Sequence, residues 1–501
     1  MSWWEEFERQ AFNSNFSLVI VKARTEVWLS INLTQLWSDP FAASHLVTAV
    51  QTLLHRSRRM LAVVIASILA VASVTATAAV AGLALHQGIQ TADFVRALKK
   101  PKHKKPVKPN ILFRSIVRIA SIPDLMKVRF KYEGRLPKKM PCLIFMNHSS
   151  FIDLEIVSKI MYPRPYGIVT TSDGLVGKRF LMRRIGCIPT QKFVNDISLI
   201  KDINYLLKVK KTSVLMYPEA SYSFDGTATP LPEKMGRLLK MLAVPVVMIT
   251  TEGAFSRDPL YNCLQKRKVK VSAKVECLLT PEDIEKMSVG ELDGALKKAF
   301  SFDHFKWQRE NKIKIDEPFR ADGLERILYK CPHCLAEGSL TGKGISIKCA
   351  SCGKEYVLDE YGVLEAKEGD TEFSHIPDWY AWEREKVKEE IENGNYLLDT
   401  PVDIGMSVDF KAIYMIGEGR LTHTAEGFTL TGADGELEYR QKPLFNYSLY
   451  ADYYWYEIGD VICIGDKNAL YYCFPKTGVP VAKARLAVEE MYKAEKAKAR
   501  N

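Results

Sequence analysis

Cysteine is sparse and unevenly placed in this chain of 501 residues: of ten, four form two Cys-x-x-Cys knuckles and six are scattered. That distribution excludes a disulfide framework and points to a reducing compartment. A strong overall charge is also lacking. The formal net charge is +11, with 26% of residues charged and 47% hydrophobic. Much of the excess is local, so an anionic membrane surface suits the chain better than nucleic acid as a partner. The composition is that of an ordinary globular protein, and the length predicts about three domains. Residues 1–59 carry Trp3, Trp4, Trp28 and Trp37 but no clear repeat, and no function is assigned to them.

Charge is wholly absent from Met60 to Leu85, 26 residues beginning Leu61-Ala62-Val63-Val64-Ile65. As a helix this run is about 39 Å long, enough for a hydrocarbon core of roughly 30 Å. Its alanines and its Ser67, Ser73, Thr75 and Thr77 keep insertion only modestly favourable, so a buried soluble helix is the competing reading. Arg56, Arg58 and Arg59 precede it, whereas Arg96, Lys99, Lys100, Lys102, Lys104, Lys105 and Lys108 follow. The heavier basic flank predicts an external N-terminus and a cytoplasmic remainder. Ala76-Thr77-Ala78 suits a signal-peptide cleavage site, but the approach to it is too long. The Lys-Pro tract that follows reads as a linker attracted to anionic lipid.

The apolar run Cys142-Leu143-Ile144-Phe145-Met146 lacks Gly and Pro and ends in Asn147-His148-Ser149-Ser150-Phe151-Ile152-Asp153. It predicts a buried strand opening into a loop and then a helix, with His148 at the strand's C-terminal end. Ligands bind at that rim in open α/β sheets. An Asp five residues after the His can hold one ring nitrogen and leave the other facing a substrate hydroxyl, which makes a general base. Spacing alone equally fits a helix cap, Ser150 with Asp153 as its box partner and His148 as a loop residue.

Three further stretches bear on the choice. Gly186-Cys187-Ile188-Pro189-Thr190-Gln191-Lys192, Leu215-Met216-Tyr217-Pro218-Glu219-Ala220-Ser221-Tyr222-Ser223 and Leu242-Ala243-Val244-Pro245-Val246-Val247-Met248 follow in that order. Together with the Asn-His-x4-Asp stretch they resemble the four motifs of the lysophospholipid, or 1-acylglycerol-3-phosphate, acyltransferases. The resemblance covers roughly residues 108–280. It implies that His148 deprotonates an acceptor hydroxyl as that oxygen attacks an acyl thioester, and that Asp153 orients the imidazole. It further implies substrate contacts from Asn147, Thr190, Lys192, Glu219 and Ser221, with acyl-CoA or acyl-ACP as donor and a lysolipid as acceptor. No acyl-enzyme is needed, and Cys142 and Cys187, both in apolar runs, read as packing. Two departures concern the acceptor. The second motif ends in Lys192 where the family commonly has Arg, and Ala220-Ser221-Tyr222 replaces Gly-Thr-Arg in the third. A lysine lacks the bidentate fork, so these changes leave room for a non-phosphorylated or larger headgroup. Lys178, Arg179, Arg183 and Arg184 are candidate replacement charge, or a solvated helix face.

Cys331-Pro332-His333-Cys334 and Cys349-Ala350-Ser351-Cys352 are separated by fourteen residues that include Gly338, Gly342 and Gly344. Two thiolate pairs on tight knuckles can surround Zn2+ tetrahedrally, so Cys331, Cys334, Cys349 and Cys352 predict a structural zinc ribbon in which His333 is a bystander. Four thiolates leave no open position, and the ion serves folding only. Lysines and acids alternate around the ribbon without a basic, aromatic surface, so no nucleic-acid partner is expected.

The remaining chain predicts helical spacing at 111–119 and strands at 127–133, 166–171, 211–217, 245–251 and 266–279, with helices at 175–184, 232–243 and 283–300. Alternation of this kind predicts an α/β domain with a mostly parallel sheet flanked by helices over 110–300. The expected order is then a helical connector at 301–330, the ribbon at 331–358 and a helical linker at 359–395. A β-rich domain follows at 396–501, with strands at 408–416, 427–431, 437–440, 449–456, 461–464 and 469–474 and a cationic amphipathic helix at 483–498. Strands capped by one C-terminal helix resemble the pleckstrin-homology superfold. The whole reads as an O-acyltransferase at the cell membrane with its catalytic domain on the cytoplasmic face. The competing reading is a lipid-binding scaffold that docks through the ribbon and the β-domain.

Overall fold

In the computed structural model the described residues are 18–23 and 26–30, whose backbones pair as an antiparallel hairpin, and 103–499 apart from 138–139, 177, 194–195, 408–412, 456–457 and 467. The expected membrane span at 60–85 lies outside them. Among the described residues no helix is long and apolar enough to cross a membrane.

The first large sheet takes seven strands: β1 (Lys131–Gly134), β2 (Leu143–Met146), β3 (Tyr166–Thr171), β4 (Cys187–Thr190), β5 (Ser213–Met216), β6 (Val246–Glu252) and β7 (Ser272–Leu279). Their spatial order is β1-β7-β6-β2-β5-β3-β4. Every neighbouring pair is parallel except β6 and β7. The sheet is therefore the mostly parallel one expected, and β2 lies at its centre. All four β2 side chains are fully buried because helices cover both faces. Residues alternate between two cores, Ile144 and Met146 facing one and Leu143 and Phe145 the other. Each such burial contributes roughly 1.5–3 kcal/mol, which pins the strand's end, and with it the loop that follows.

Local chemistry explains where elements differ from expectation. The helix expected over 283–300 is two, Pro281–Lys286 and Val289–Ala299. Thr280 with Asp283 and Ser288 with Glu291 each form a capping box that starts a helix afresh. The strand expected at 127–133 is only β1, because the helix Ile122–Lys127 extends into it.

A four-stranded antiparallel sheet follows, of β8 (Leu340–Lys343), β9 (Ser346–Cys349), β10 (Glu355–Leu358) and β11 (Leu364–Ala366); of the four thiols Cys349 ends β9, and Cys331, Cys334 and Cys352 lie in the loops and turns beside it. A second seven-stranded sheet, antiparallel throughout, contains β12 (Leu398–Ser407), β13 (Tyr414–Thr424), β14 (Gly427–Gly432), β15 (Leu437–Gln441), β16 (Tyr450–Trp455), β17 (Gly459–Gly465) and β18 (Leu470–Pro475). Its order is β15-β14-β13-β12-β18-β17-β16. The central strand β12 has no counterpart among the expected strands, since Pro401 and Gly405 argue against an interior strand. The chain closes with the helix Val481–Lys498. It is the helix expected at 483–498, but its first half is packed into the protein, Val481, Ala482 and Ala484 to Met491 being buried, while most of 492–498 is exposed or half-buried.

Candidate active site

Asn147 leaves β2 fully buried, and its amide is spent inside the protein. Oδ1 accepts from the Thr251 amide at 2.8 Å and from the Thr251 hydroxyl at 3.1 Å, while Nδ2 donates to Thr251 O at 3.3 Å and Ser149 Oγ at 3.0 Å. It stitches β2 to the end of β6 with no exposed surface of its own.

His148 and Asp153 meet. Nδ1 of the imidazole is 3.1 Å from Asp153 Oδ2, which also accepts the amides of Ser149 at 2.9 Å and Ser150 at 3.2 Å. Asp153 opens the helix Asp153–Met161, where the helix dipole favours a carboxylate. The capping reading holds in part: Asp153 accepts the Ser150 amide and Ser150 Oγ accepts the Ile152 amide at 3.3 Å, but the Asp153 amide donates to Ser150 O instead of to the hydroxyl, which itself donates to Asp258, paired with Arg257 at 2.5 Å. The Ser149 hydroxyl lies 3.1 Å from Nε2 of His304.

The third motif supports the same loop from the other side. Glu219 has no exposed surface and divides its oxygens, Oε2 accepting the His148 amide at 3.0 Å and Oε1 the Thr229 amide at 2.9 Å. Burial pushes its carboxyl up to about 7. Its observed role is to hold the backbone of His148. Ala220 adopts a left-handed φ of 54°, a conformation that suits the glycine of the family motif better than alanine. Ser221, expected to touch substrate, is buried against the C-terminal helix, 3.5 Å from Arg485 Nη1.

The imidazole lies against two tyrosine rings, Tyr217 at 4.1 Å and Tyr222 at 3.8 Å between centroids. Nε2 has no hydrogen-bond partner among the described residues, and 19% of the side chain remains exposed. Burial holds its pKa below the ordinary imidazole value, Asp153 opposes that shift, and Lys192 adds to it. The arrangement is that of a neutral imidazole with one nitrogen anchored and the other available to take a proton.

Thr190 ends β4 half-buried, its hydroxyl donating to Gln191 O at 3.4 Å and its carbonyl accepting the Ser172 amide at 2.8 Å. Lys192 does not extend as a free cation. Its Nζ lies 3.9 Å from the centre of the Tyr450 ring on β16, and the Tyr450 hydroxyl donates to Asp173. Arg183 donates to the carbonyls of Lys104 and Lys105, and Arg184 covers Phe180. Lys192 and Arg183 thus have partners within the fold, whereas Arg184 stays exposed at the surface. Cys142 and Cys187 are buried thiols whose pKa values are raised by that burial, the latter to about 12, as suits packing.

The four sulfurs of Cys331, Cys334, Cys349 and Cys352 lie within 4.8 Å of one another, with Cys331–Cys352 at 3.9 Å and Cys334–Cys349 at 3.7 Å. A tetrahedron with Zn–S bonds of about 2.3 Å has S···S edges of about 3.8 Å, so the donor set fits such an ion. His333 points away, its Nδ1 3.0 Å from Glu372.

Sequence reading missed Tyr217, Tyr222, His304, Tyr450 and Arg485. Tyr217 and Tyr222 stand inside a recognised motif. The other three come from distant segments, and nothing local marks them.

A family model described as Acyltransferase matches residues 127–251. Human endogenous retrovirus group K Env polyproteins are also similar to part of the chain. Members 19, 7 and 113 are each 36% identical over 89 residues, 18% of this chain and 13%, 15% and 13% of their own lengths. The chain thus spans a small fraction of these curated relatives. Among solved structures, the Thermotoga maritima 1-acyl-sn-glycerophosphate acyltransferase PlsC is similar at 15% identity and a TM-score of 0.29, covering 38% of this chain and 80% of that one.

Proposed function

With residues 127–251 belonging to the acyltransferase family, we propose that this chain moves a fatty acyl group from acyl-CoA or acyl-ACP to the hydroxyl of a lysolipid. His148 is the general base and Asp153 its orienting partner. The observation that carries this reading is the divided imidazole, Nδ1 on Asp153 and Nε2 without a hydrogen-bond partner among the described residues. The acceptor oxygen bonds to the thioester carbonyl carbon as its proton passes to Nε2, and the C–S bond then breaks. The proton leaves on the thiolate, giving an ester and a free thiol. No covalent enzyme intermediate enters.

The acceptor side differs from the family motif in having Lys192 against Tyr450 and Tyr222 in place of an arginine. That supports a headgroup read by something other than a guanidinium on the third motif, and a non-phosphorylated or larger lysolipid over a phosphomonoester. Glu219, Thr190 and Ser221 then shape the site from behind.

Membrane apposition on the cytoplasmic face is part of the same proposal. Ile111, Leu112 and Ile119 on the helix Ile111–Ala120 and Phe151 nearby are each about half exposed, and Met126 and Phe180 are more so. Arg114 and Arg118 share that helix, and an apolar ledge with basic neighbours suits an anionic bilayer.

Cys331, Cys334, Cys349 and Cys352 hold a structural Zn2+ in this reading. The ion supplies folding free energy to the ribbon and takes no part in transfer.

The test is incubation of the purified protein with a panel of lysolipids and labelled acyl-CoA or acyl-ACP. Labelled diacyl product from at least one acceptor is expected. Failure on every acceptor and both donors, with lipid binding retained, would favour the scaffold reading instead.

A further inference from the structure

We propose that Tyr217 and Tyr222 form an aromatic clamp that fixes the plane of the His148 ring and stabilises the cation it becomes during transfer. This rests on the reading of His148 as the base. The two rings lie at 27° and 31° to the imidazole with centroids 4.1 and 3.8 Å away. Two rings that near and that parallel overlap if they share a face, so they occupy opposite faces.

The three constraints on this side chain are then complementary. The tyrosines fix the ring plane, Asp153 fixes rotation within it, and backbone bonds to Glu219 and from the Ser223 amide fix the Cα. Tyr222 is itself held by a stack on Phe151 at 5.2 Å. Only the Nε2 edge is left to meet a substrate.

The clamp also bears on charge. Burial and Lys192 both disfavour imidazolium, and Asp153 favours it. Glu219 meets His148 at its backbone amide, with its other oxygen on Thr229. A cation between two aromatic faces is attracted by their quadrupoles, and desolvation strengthens that attraction. Tyr217 stays a neutral phenol, because burial pushes its pKa well above the ordinary value. The attraction needs neither ring to ionise, so the clamp stabilises the protonated state formed in the transition state while Tyr217 adds no fixed charge beside the resting base.

The experiment titrates the His148 ring by NMR in full-length protein and measures kcat and KM in parallel. Tyr222→Leu is expected to lower the imidazolium pKa by roughly half a unit or more. It is also expected to lower kcat with little change in KM. Tyr222→Phe keeps the ring and is expected to keep the parent's pKa. A pKa unchanged or raised in Tyr222→Leu, as when water enters beside a mere cover, overturns the proposal. Because leucine also removes packing, a second series replaces Tyr222 with phenylalanines of increasing ring fluorination, which keep the shape and weaken the quadrupole. A pKa that falls stepwise with fluorination supports the clamp, and one independent of it refutes the clamp. The titration reads the clamp without turnover, so loss of the base reading, seen as full transfer by His148→Ala, is a separate outcome.

Discussion

Arg485 on the C-terminal helix reaches Ser221 in the loop that carries Glu219, with Nη1 3.5 Å from the hydroxyl across 264 positions of sequence. The guanidinium is buried, lies 3.3 Å from Glu489 and stacks 4.3 Å above the Phe224 ring. Tyr453 on β16 packs on the same Phe224 ring, and Tyr450 takes up Lys192. The second antiparallel sheet and its helix are therefore continuous with the wall of the candidate site.

Arg485→Ala is expected to cost on the order of 3 kcal/mol, because it strips a buried partner from Glu489. It is also expected to reduce acyl transfer at temperatures where the protein remains folded. Denaturant melts and rates measured on one preparation check both, and unaltered stability would show that Arg384 and Ser448 suffice for Glu489.

Glu219 offers a pH test. Its carboxyl titrates near 7 when buried, against an ordinary 4.5, so the folded state holds the proton more firmly. The stability this group contributes is full below its unfolded pKa and is lost as pH rises through the folded value. Melting temperatures taken from about pH 5 to about pH 8 are expected to show that decline in the parent and to lack it in Glu219→Gln. Glutamine also turns an NH2 toward one of the two amides, of His148 or Thr229, at a cost of roughly 1–3 kcal/mol. A level parent profile would contradict this account of Glu219.

The ribbon is expected to bind one Zn2+ per chain through Cys331, Cys334, Cys349 and Cys352. Cys331 lies in the main core beside Tyr329 and Trp379, and the Trp379 indole donates to Lys330 O at 3.0 Å. Chelation should therefore lower the melting temperature of more than the ribbon itself, read by calorimetry with metal content by mass spectrometry. Cys334→Ser should bind weakly and melt early. Full metal content in that variant would count against a four-thiolate site.

Much of the parallel sheet was legible because its signals are local. The apolar run into Asn147-His148, the Val-Pro-Val strand and the paired knuckles each state their structure within a few residues. The capping box at Ser288 was equally local, but the apolar spacing across it suggested one helix over 283–300. β12 was hidden by Pro401 and Gly405, and the C-terminal helix was expected but the burial of its first half was hidden by its many charges, because their partners, Arg384 among them, lie far away in sequence. The same limit applies to the site. Spacing left two readings of His148 and Asp153 open and the four-motif resemblance chose between them, whereas the position of Lys192 against Tyr450 depends on how two sheets pack.

The central claim is that the imidazole of His148 takes the acceptor's proton. The most direct measurement compares acyl transfer by the parent and His148→Ala on the same lysolipid, with melting curves for both. The account predicts a fall of about a thousandfold with the melting temperature retained. Transfer at the parent's rate by a folded His148→Ala protein would contradict it.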